Sequence, residues 1–387
     1  MEAIRLIDRA MEQTASKIWR QYPVLTITGP RQSGKTTLAR KVFGDAEYVN
    51  LEIPDVRAEA MRDARAFMRA HPAPAVFDEI QNVPELVSYI QAEVDDKQRN
   101  AMYVLTGSHQ PALQAAISQS LAGRTGLLEL YPLSIAELQN VGVKASRDRY
   151  LLNGFMPRLY QHRIEPSRLY ADYFKMYVER DLRQLANVRN LRQFETFVRL
   201  LAGRVAQVLN VDSLAGDVGV AASTVREWLS ILETSYVIKL LRPYYRNFGK
   251  RFVKSSKVYF VETGLASYLL GIKDEAQAAA HPLMGNLFEN MVVMEMFKRR
   301  CNRGEDANLY FMRTSNGVEV DVVEEAGDKL RLCEIKAGLT FHADMAKNLA
   351  LIRKALPDDV ADAKVIYAGR ETFATGDIPV VNFAAEY

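Results

Sequence analysis

Gly29-Pro30-Arg31-Gln32-Ser33-Gly34-Lys35-Thr36-Thr37 follows a short β-rich run, Val24-Leu25-Thr26-Ile27-Thr28, and leads into a helical pattern from Thr36 to Val42. The stretch fits G-x-x-x-x-G-K-[ST] at every fixed position. Glycines at these points let the main chain wrap tightly, so that consecutive N–H groups converge on phosphate oxygens. The start of the following helix adds positive partial charge at the same place. Residues 29–37 are therefore expected to cradle a nucleotide, with Lys35 reaching the β- and γ-phosphates and the Thr36 hydroxyl ligating Mg²⁺. A chance match in a glycine-bearing turn would lack the strand before and the helix after.

Further strands are expected at Tyr48–Leu51, Ala75–Phe77, Met102–Leu105 and Leu127–Leu130, with helical patterns between them. Strands alternating with helices imply a parallel sheet covered on both faces. The strand Ala75-Val76-Phe77 runs into Asp78-Glu79. Asp78 is expected to hold the metal, directly or through water. Glu79 is expected to act as general base toward the attacking water. The strand in Tyr103-Val104-Leu105-Thr106-Gly107-Ser108 ends in hydroxyl side chains, with Ser108 a candidate donor near the γ-phosphate. Arg124, in Ser120-Leu121-Ala122-Gly123-Arg124, is a candidate for stabilising phosphoryl charge, because its guanidinium is planar and always charged. The sequence leaves open whether it serves its own site or a neighbour's.

Taken in order, Gly29–Leu38, Asp78-Glu79-Ile80-Gln81, Leu105–Ser108 and Ser120–Thr125 resemble a family of prokaryotic AAA+-like P-loop ATPases. Members carry a C-terminal domain of uncharacterised function related to PD-(D/E)XK nucleases. The resemblance covers nearly the whole chain, including Tyr170–Leu182 and Lys257–Leu265. It implies a five-stranded AAA+-type sheet, ATP and Mg²⁺. Two departures lie near the rim of the ATPase. The chain has Asn153-Gly154-Phe155-Met156-Pro157 where the family shows Gly-Gly-Phe-Pro, and His109 where a small residue is common.

A chain of 387 residues is too long for one core. The expected organisation is an AAA+-like P-loop domain over 1–160, a helical connector over 161–205, a winged-helix-like unit over 206–271 and a restriction-endonuclease-like α/β domain over 281–387. Residues 272–284 break the pattern and are expected to form a linker. With 48% hydrophobic and 25% charged residues, the chain is not disordered by composition. It lacks the roughly 18 consecutive apolar residues of a membrane helix. The amphipathic start of the chain lacks a signal-peptide core, so a cytoplasmic location without membrane contact is expected. Cys301 and Cys333 have no metal or redox spacing.

Residues 161–280 carry 18 Lys+Arg against 12 Asp+Glu, while 281–387 carry 13 against 17. Attraction to a phosphate backbone would thus lie in the middle. Ser213–Val218 and Ser223–Glu233 read as helix-turn-helix. The second helix would bury Val225, Trp228, Leu229 and Leu232 and expose one arginine beside two glutamates, a poor set for reading bases. Residues 239–257 are the stronger nucleic-acid candidate. Lys239, Arg242, Arg246, Lys250, Arg251, Lys254 and Lys257 occur there with Tyr244, Tyr245, Phe248 and Phe252 and without an acid. The competing reading is a hairpin whose cations face solvent or acidic neighbours.

In the last hundred residues, Glu289 falls on a helix, Asp321 on a strand, and Glu334-Ile335-Lys336 ends the next strand. Residues two apart on a strand share a face, so Glu334 and Lys336 point together where Asp321 can meet them. Glu289, Asp321 and Glu334 would suit Mg²⁺, and Lys336 could help hold a hydroxide for phosphodiester attack. This order resembles the PD-(D/E)XK constellation. Two functions remain: an ATP-driven enzyme acting on nucleic acid, or a nucleotide-gated switch or assembly platform that self-associates or binds a protein, with an inactive nuclease-like domain.

Overall fold

The structure is a computed structural model that describes residues 6–108, 111–162, 164–177, 190–244, 255–314 and 317–386. Its first sheet has five parallel strands, β1 (Val24–Thr28), β2 (Glu47–Asn50), β3 (Ala75–Asp78), β4 (Tyr103–Thr106) and β5 (Thr125–Glu129), in the order β2-β3-β4-β1-β5. Alternation along the strands sorts their side chains into two cores. Leu25, Ile27, Val76, Val104 and Leu128 pack with Met11, Ala15 and Leu38 from the helices Glu12–Gln21 and Lys35–Val42 and the segment before them. Val24, Phe77, Tyr103 and Leu105 pack on the other face with Val87, Ile90 and Val94 of the helix Leu86–Lys97. Each fully buried side chain of this kind contributes roughly 1.5–3 kcal/mol. Parallel strands bring all their carboxyl ends to one edge, which is where ligands settle in open α/β sheets.

The middle of the chain is helical. Phe194 and Phe197 of the helix Leu191–Ala202 pack on Trp228, at ring separations of 5.3 and 5.2 Å. The helices Val211–Val218 and Ala222–Thr234 follow, and Val225, Trp228, Leu229 and Leu232 are buried as the periodicity predicts. β6 (Ile238–Leu241) and β7 (Lys257–Phe260) then pair antiparallel. Of the acid-free basic run, Tyr245, Arg246, Phe248, Lys250, Arg251, Phe252 and Lys254 lie outside the described residues, as do His109 and residues 178–182.

The expected linker at 272–284 is instead largely structured. Asp274 caps a helix, Glu275–Ala280, whose Ala278 is buried, and Glu275 accepts a hydrogen bond from Ser146 Oγ at 3.2 Å. The alanines that seemed to interrupt the pattern are strong helix formers.

The helix Met284–Asn302 is apolar on several sides because it touches β5, β7 and the last sheet. That sheet holds β8 (Leu309–Arg313), β9 (Glu319–Ala326), β10 (Lys329–Lys336), β11 (Val360–Tyr367), β12 (Phe373–Thr375) and β13 (Ile378–Asn382), in the order β12-β13-β11-β10-β9-β8. β10 pairs antiparallel with β9 and parallel with β11. No described helix is long and apolar enough to cross a membrane.

Candidate nucleotide site

The loop after β1 turns where only glycine fits. At Gly29 (φ +147°) a Cβ would lie 2.2 Å from the Leu130 main-chain oxygen, and Gly34 is left-handed at φ +96°. The loop closes over Lys35, whose Nζ donates to Gly29 O at 3.1 Å and Pro30 O at 2.8 Å. Burial lowers the Lys35 pKa to about 8, against the opposing charges of Glu79 and Asp78. Ser33 Oγ is buried without a hydrogen-bond partner.

Asp78, at the tip of β3, is the hub. Thr36 Oγ1 donates to its Oδ2 at 2.8 Å, Tyr48 OH also donates to Oδ2, and Thr106 Oγ1 donates to Oδ1. Three strands and the loop thus converge on one carboxylate. Burial, then the bond to Asp78, raises the Tyr48 pKa and keeps it a donor. Glu79 follows in a left-handed conformation (φ +58°), which costs a non-glycine residue about 1–2 kcal/mol. Its Oε2 accepts from Gln81 Nε2. Arg31, Gln32, Gly34, Lys35, Thr36, Thr37 and Glu79 line a cavity of about 360 Å³. Oxygen donors on Thr36 and Asp78, beside space for phosphates, suit Mg²⁺, which keeps waters and shares phosphate oxygens.

The structure departs from one expectation, Ser108, and narrows another, leaving Arg124 only the neighbour's-site alternative. Ser108 is buried at the end of β4 and does not line the cavity, and Thr106 is the strand-end hydroxyl that meets Asp78. Arg124 lies at the opposite edge of the sheet. Its carbonyl accepts from the N–H of Val24, which starts β1, and its guanidinium pairs with Asp95 at 2.6 and 2.9 Å. A strand's length separates it from its own loop, so it cannot reach that chain's phosphates. The sequence reading also missed Arg9, Arg158 and Tyr48. Arg9 is buried and ties the loop down, donating to Ser33 O and Tyr131 O, both at 2.7 Å, and to Glu137 Oε1 at 3.0 Å. No motif marks it. Arg158 also lines the cavity and directly follows the Asn153–Pro157 segment, the one signal that could have found it.

Comparison with known proteins agrees with this geometry. An AAA domain family matches residues 21–139. Two domains of unknown function, DUF8612 and DUF4143, match residues 144–276 and 284–385. The proteins named Uncharacterized protein Rv2008c of Mycobacterium tuberculosis and Uncharacterized protein Mb2031c of Mycobacterium bovis are each 30% identical over 360 residues, spanning 92% of this chain and 79% of theirs. The chain belongs to their family. Its residues 21–139 carry the AAA-type P-loop domain. Among solved structures, the Walker-type ATPase PABY2304 of Pyrococcus abyssi is 14% identical, with a TM-score of 0.43 over 68% of this chain and 96% of that one. A signal-transduction ATPase with a tetratricopeptide-repeat sensor from Pyrococcus horikoshii is 12% identical, with a TM-score of 0.26 over 77% and 48%.

In the C-terminal unit of this protein the expected acids lie in two neighbouring ion-pair groups. Lys336 Nζ bonds Glu334 Oε1 at 2.6 Å, and Asp321 Oδ2 accepts from the Ile335 N–H at 2.8 Å. A second lysine, however, stands beside Asp321. The buried Lys257 ammonium lies 2.9 Å from Glu289 Oε1, 2.5 Å from Glu319 Oε1 and 3.6 Å from Asp321 Oδ1. Tyr259 OH donates to the same Glu289 oxygen at 2.7 Å. Burial opposes the Lys257 charge, but Glu289, Asp321 and Glu319 outweigh it and raise its pKa. Burial, then the charge of Asp321, raises the carboxyls of Glu289 and Glu334. Among the described residues no group of three or more metal-capable side chains is arranged to hold an ion. Of the expected set, Glu289 and Asp321 are therefore tied to the Lys257 ammonium, while Glu334 pairs with Lys336. Lys257, which was expected to face nucleic acid, is spent there. Tyr244 of the same run is buried against Tyr310.

Proposed function

We propose that the protein is a Mg²⁺-dependent ATP hydrolase used as a nucleotide-gated switch, with a C-terminal nuclease-like unit that binds rather than cuts. The observation that carries the hydrolase reading is the convergence of Thr36, Tyr48 and Thr106 on Asp78, with Glu79 beside it in the Lys35 cavity. Thr36 and Asp78 would hold Mg²⁺, which supplies charge neutralisation at the β- and γ-phosphates when bound. Lys35, held by loop carbonyls, exchanges them for phosphate oxygens. Glu79 takes a proton from the attacking water as its oxygen bonds the γ-phosphorus. The bond from that phosphorus to the β–γ bridging oxygen breaks, releasing ADP and phosphate.

The switch reading is supported by the Lys257 cluster. Cleavage of nucleic acid by Glu289, Asp321, Glu334 and Lys336 would need the ammonium withdrawn from Glu289 and Asp321, and of the described cations of residues 239–257 only Arg242 is exposed. Lys239 faces Glu129 at 3.8 Å, and Lys257 is buried.

The test is an ATPase and binding series. Lys35→Ala should lose nucleotide binding. Glu79→Gln should bind ATP but turn over roughly 10²–10⁴-fold more slowly. Unchanged hydrolysis in either variant rejects the site. Wild type should change its hydrodynamic size or self-association between ADP and a non-hydrolysable ATP analogue, and should leave DNA and RNA intact with Mg²⁺ or Mn²⁺. Cleavage that is lost in Lys336→Ala rejects the inactive-domain reading.

A further inference from the structure

We propose that Arg158 binds the phosphate chain of the nucleotide in its own chain, filling the role that Arg124 cannot reach. The inference rests on reading the loop cavity as the ATP site. Arg158 lines that cavity with Lys35, Thr36 and Glu79. It also lines an adjoining cavity of about 510 Å³, whose wall shares Arg31 and Gln32 of the loop. Its side chain therefore stands where the two spaces meet, beside the loop apex.

The other arginines nearby are committed. Arg9 spends its three guanidinium nitrogens on Ser33 O, Tyr131 O and Glu137. Arg31 lies over the Tyr177 ring at 5.3 Å. Arg158 is exposed, and among the described residues no hydrogen bond or ion pair engages its guanidinium. Lys35, Arg9, Arg31 and Arg158 gather cations around one cavity that holds a single acid, Glu79. An arrangement of like charges that is unfavourable alone becomes favourable around a polyanion. A guanidinium fork suits phosphate oxygens, which it can engage through two parallel N–H donors.

The backbone that presents Arg158 is built rather than incidental. Gly154 is left-handed (φ +64°), and a Cβ there would lie 1.9 Å from Glu262 Oε1. The Phe155 N–H donates to Glu262 Oε1 at 2.8 Å, and Phe155 O accepts from the Leu133 N–H at 2.9 Å. Tyr170 OH donates to Asn153 O at 2.8 Å. Pro157 then opens the helix Pro157–Gln161, its ring suited to a first helical position. A fixed main chain with an uncommitted guanidinium at its end is the form a preorganised ligand contact takes.

ATP affinity measured by calorimetry on wild type, Lys35→Ala, Arg158→Ala and Arg158→Lys tests this. Arg158→Ala should weaken ATP binding roughly ten- to a hundredfold and flatten its salt dependence, with Arg158→Lys recovering part of the loss. Its thermal unfolding midpoint should stay at the wild-type value, since the side chain is exposed. If Arg158→Ala binds ATP within twofold of wild type while Lys35→Ala does not bind, the Arg158 assignment fails and the site stands. If Lys35→Ala binds like wild type, both fail. Lost affinity accompanied by a lowered unfolding midpoint in both Arg158 variants would mark a folding role and overturn the proposal.

Discussion

Lys257 Nζ, at the start of β7, is buried 2.9 Å from Glu289 Oε1 on the helix Met284–Asn302. With Glu319 and Asp321 also around it, the ammonium carries the charge balance of the cluster. Removing one partner of a buried ionic group leaves uncompensated charge and costs about 3–5 kcal/mol. Lys257→Met is expected to lower the urea unfolding midpoint by a corresponding amount. Stability equal to wild type would show that the acids do not need this counter-ion.

Lys35 predicts the pH dependence of ATP binding. Burial lowers its pKa to about 8 in the nucleotide-free protein, and phosphate oxygens must raise it on binding. The bound state thus holds more protons above pH 8 than the free state. Affinity should be flat below about pH 8 and fall by up to about tenfold per unit above it. Calorimetry in buffers of different ionisation enthalpy should record proton uptake above pH 8. Proton release on binding would contradict the sign.

Arg124 is paired with Asp95 and remote from its own loop. In dilute solution, where chains do not meet, Arg124→Ala should keep ATP turnover within about threefold of wild type. The exposed ion pair with Asp95 is screened by solvent, so its loss should leave the unfolding midpoint near the wild-type value. A hundredfold loss of turnover in a protein shown to be monomeric would place Arg124 back at the site.

Gly154→Ala sets a methyl carbon 1.9 Å from Glu262 Oε1 and 2.3 Å from Tyr170 OH, in a left-handed backbone. Both neighbours are buried, so neither can yield cheaply. Overpacking with backbone strain should cost about 3 kcal/mol or more. A thermal melt unchanged from wild type would refute the tight packing of this turn.

The nucleotide loop was legible because its chemistry is contiguous: Gly29, Gly34, Lys35 and Thr36 act through their own backbone and immediate neighbours. Asp78 and Glu79 were legible because an apolar strand ends on them. Arg9 was not, because its partners are main-chain carbonyls at Ser33 and Tyr131, which leave no trace in composition. Lys257 misled because its local run lacks acids, while its counter-ions come from another unit. Arg124 was left open between its own site and a neighbour's, since proximity to a loop in sequence says nothing of which end of a strand that loop caps. β12 and β13 are short strands of three and five residues, too brief for a period to register.

β7 carries Lys257 at its first position, and Glu262, two residues past its last, clamps the turn before Pro157. At about 3.3 Å per residue the strand bridges roughly 16 Å between these anchors. No cut through this stretch leaves two whole halves. A fragment ending before residue 257 strips the acids of their counter-ion, and one ending just beyond Glu262 carries a buried ammonium with nothing to balance it. The chain is therefore best dissected by point changes, since scissors at this seam would damage both pieces.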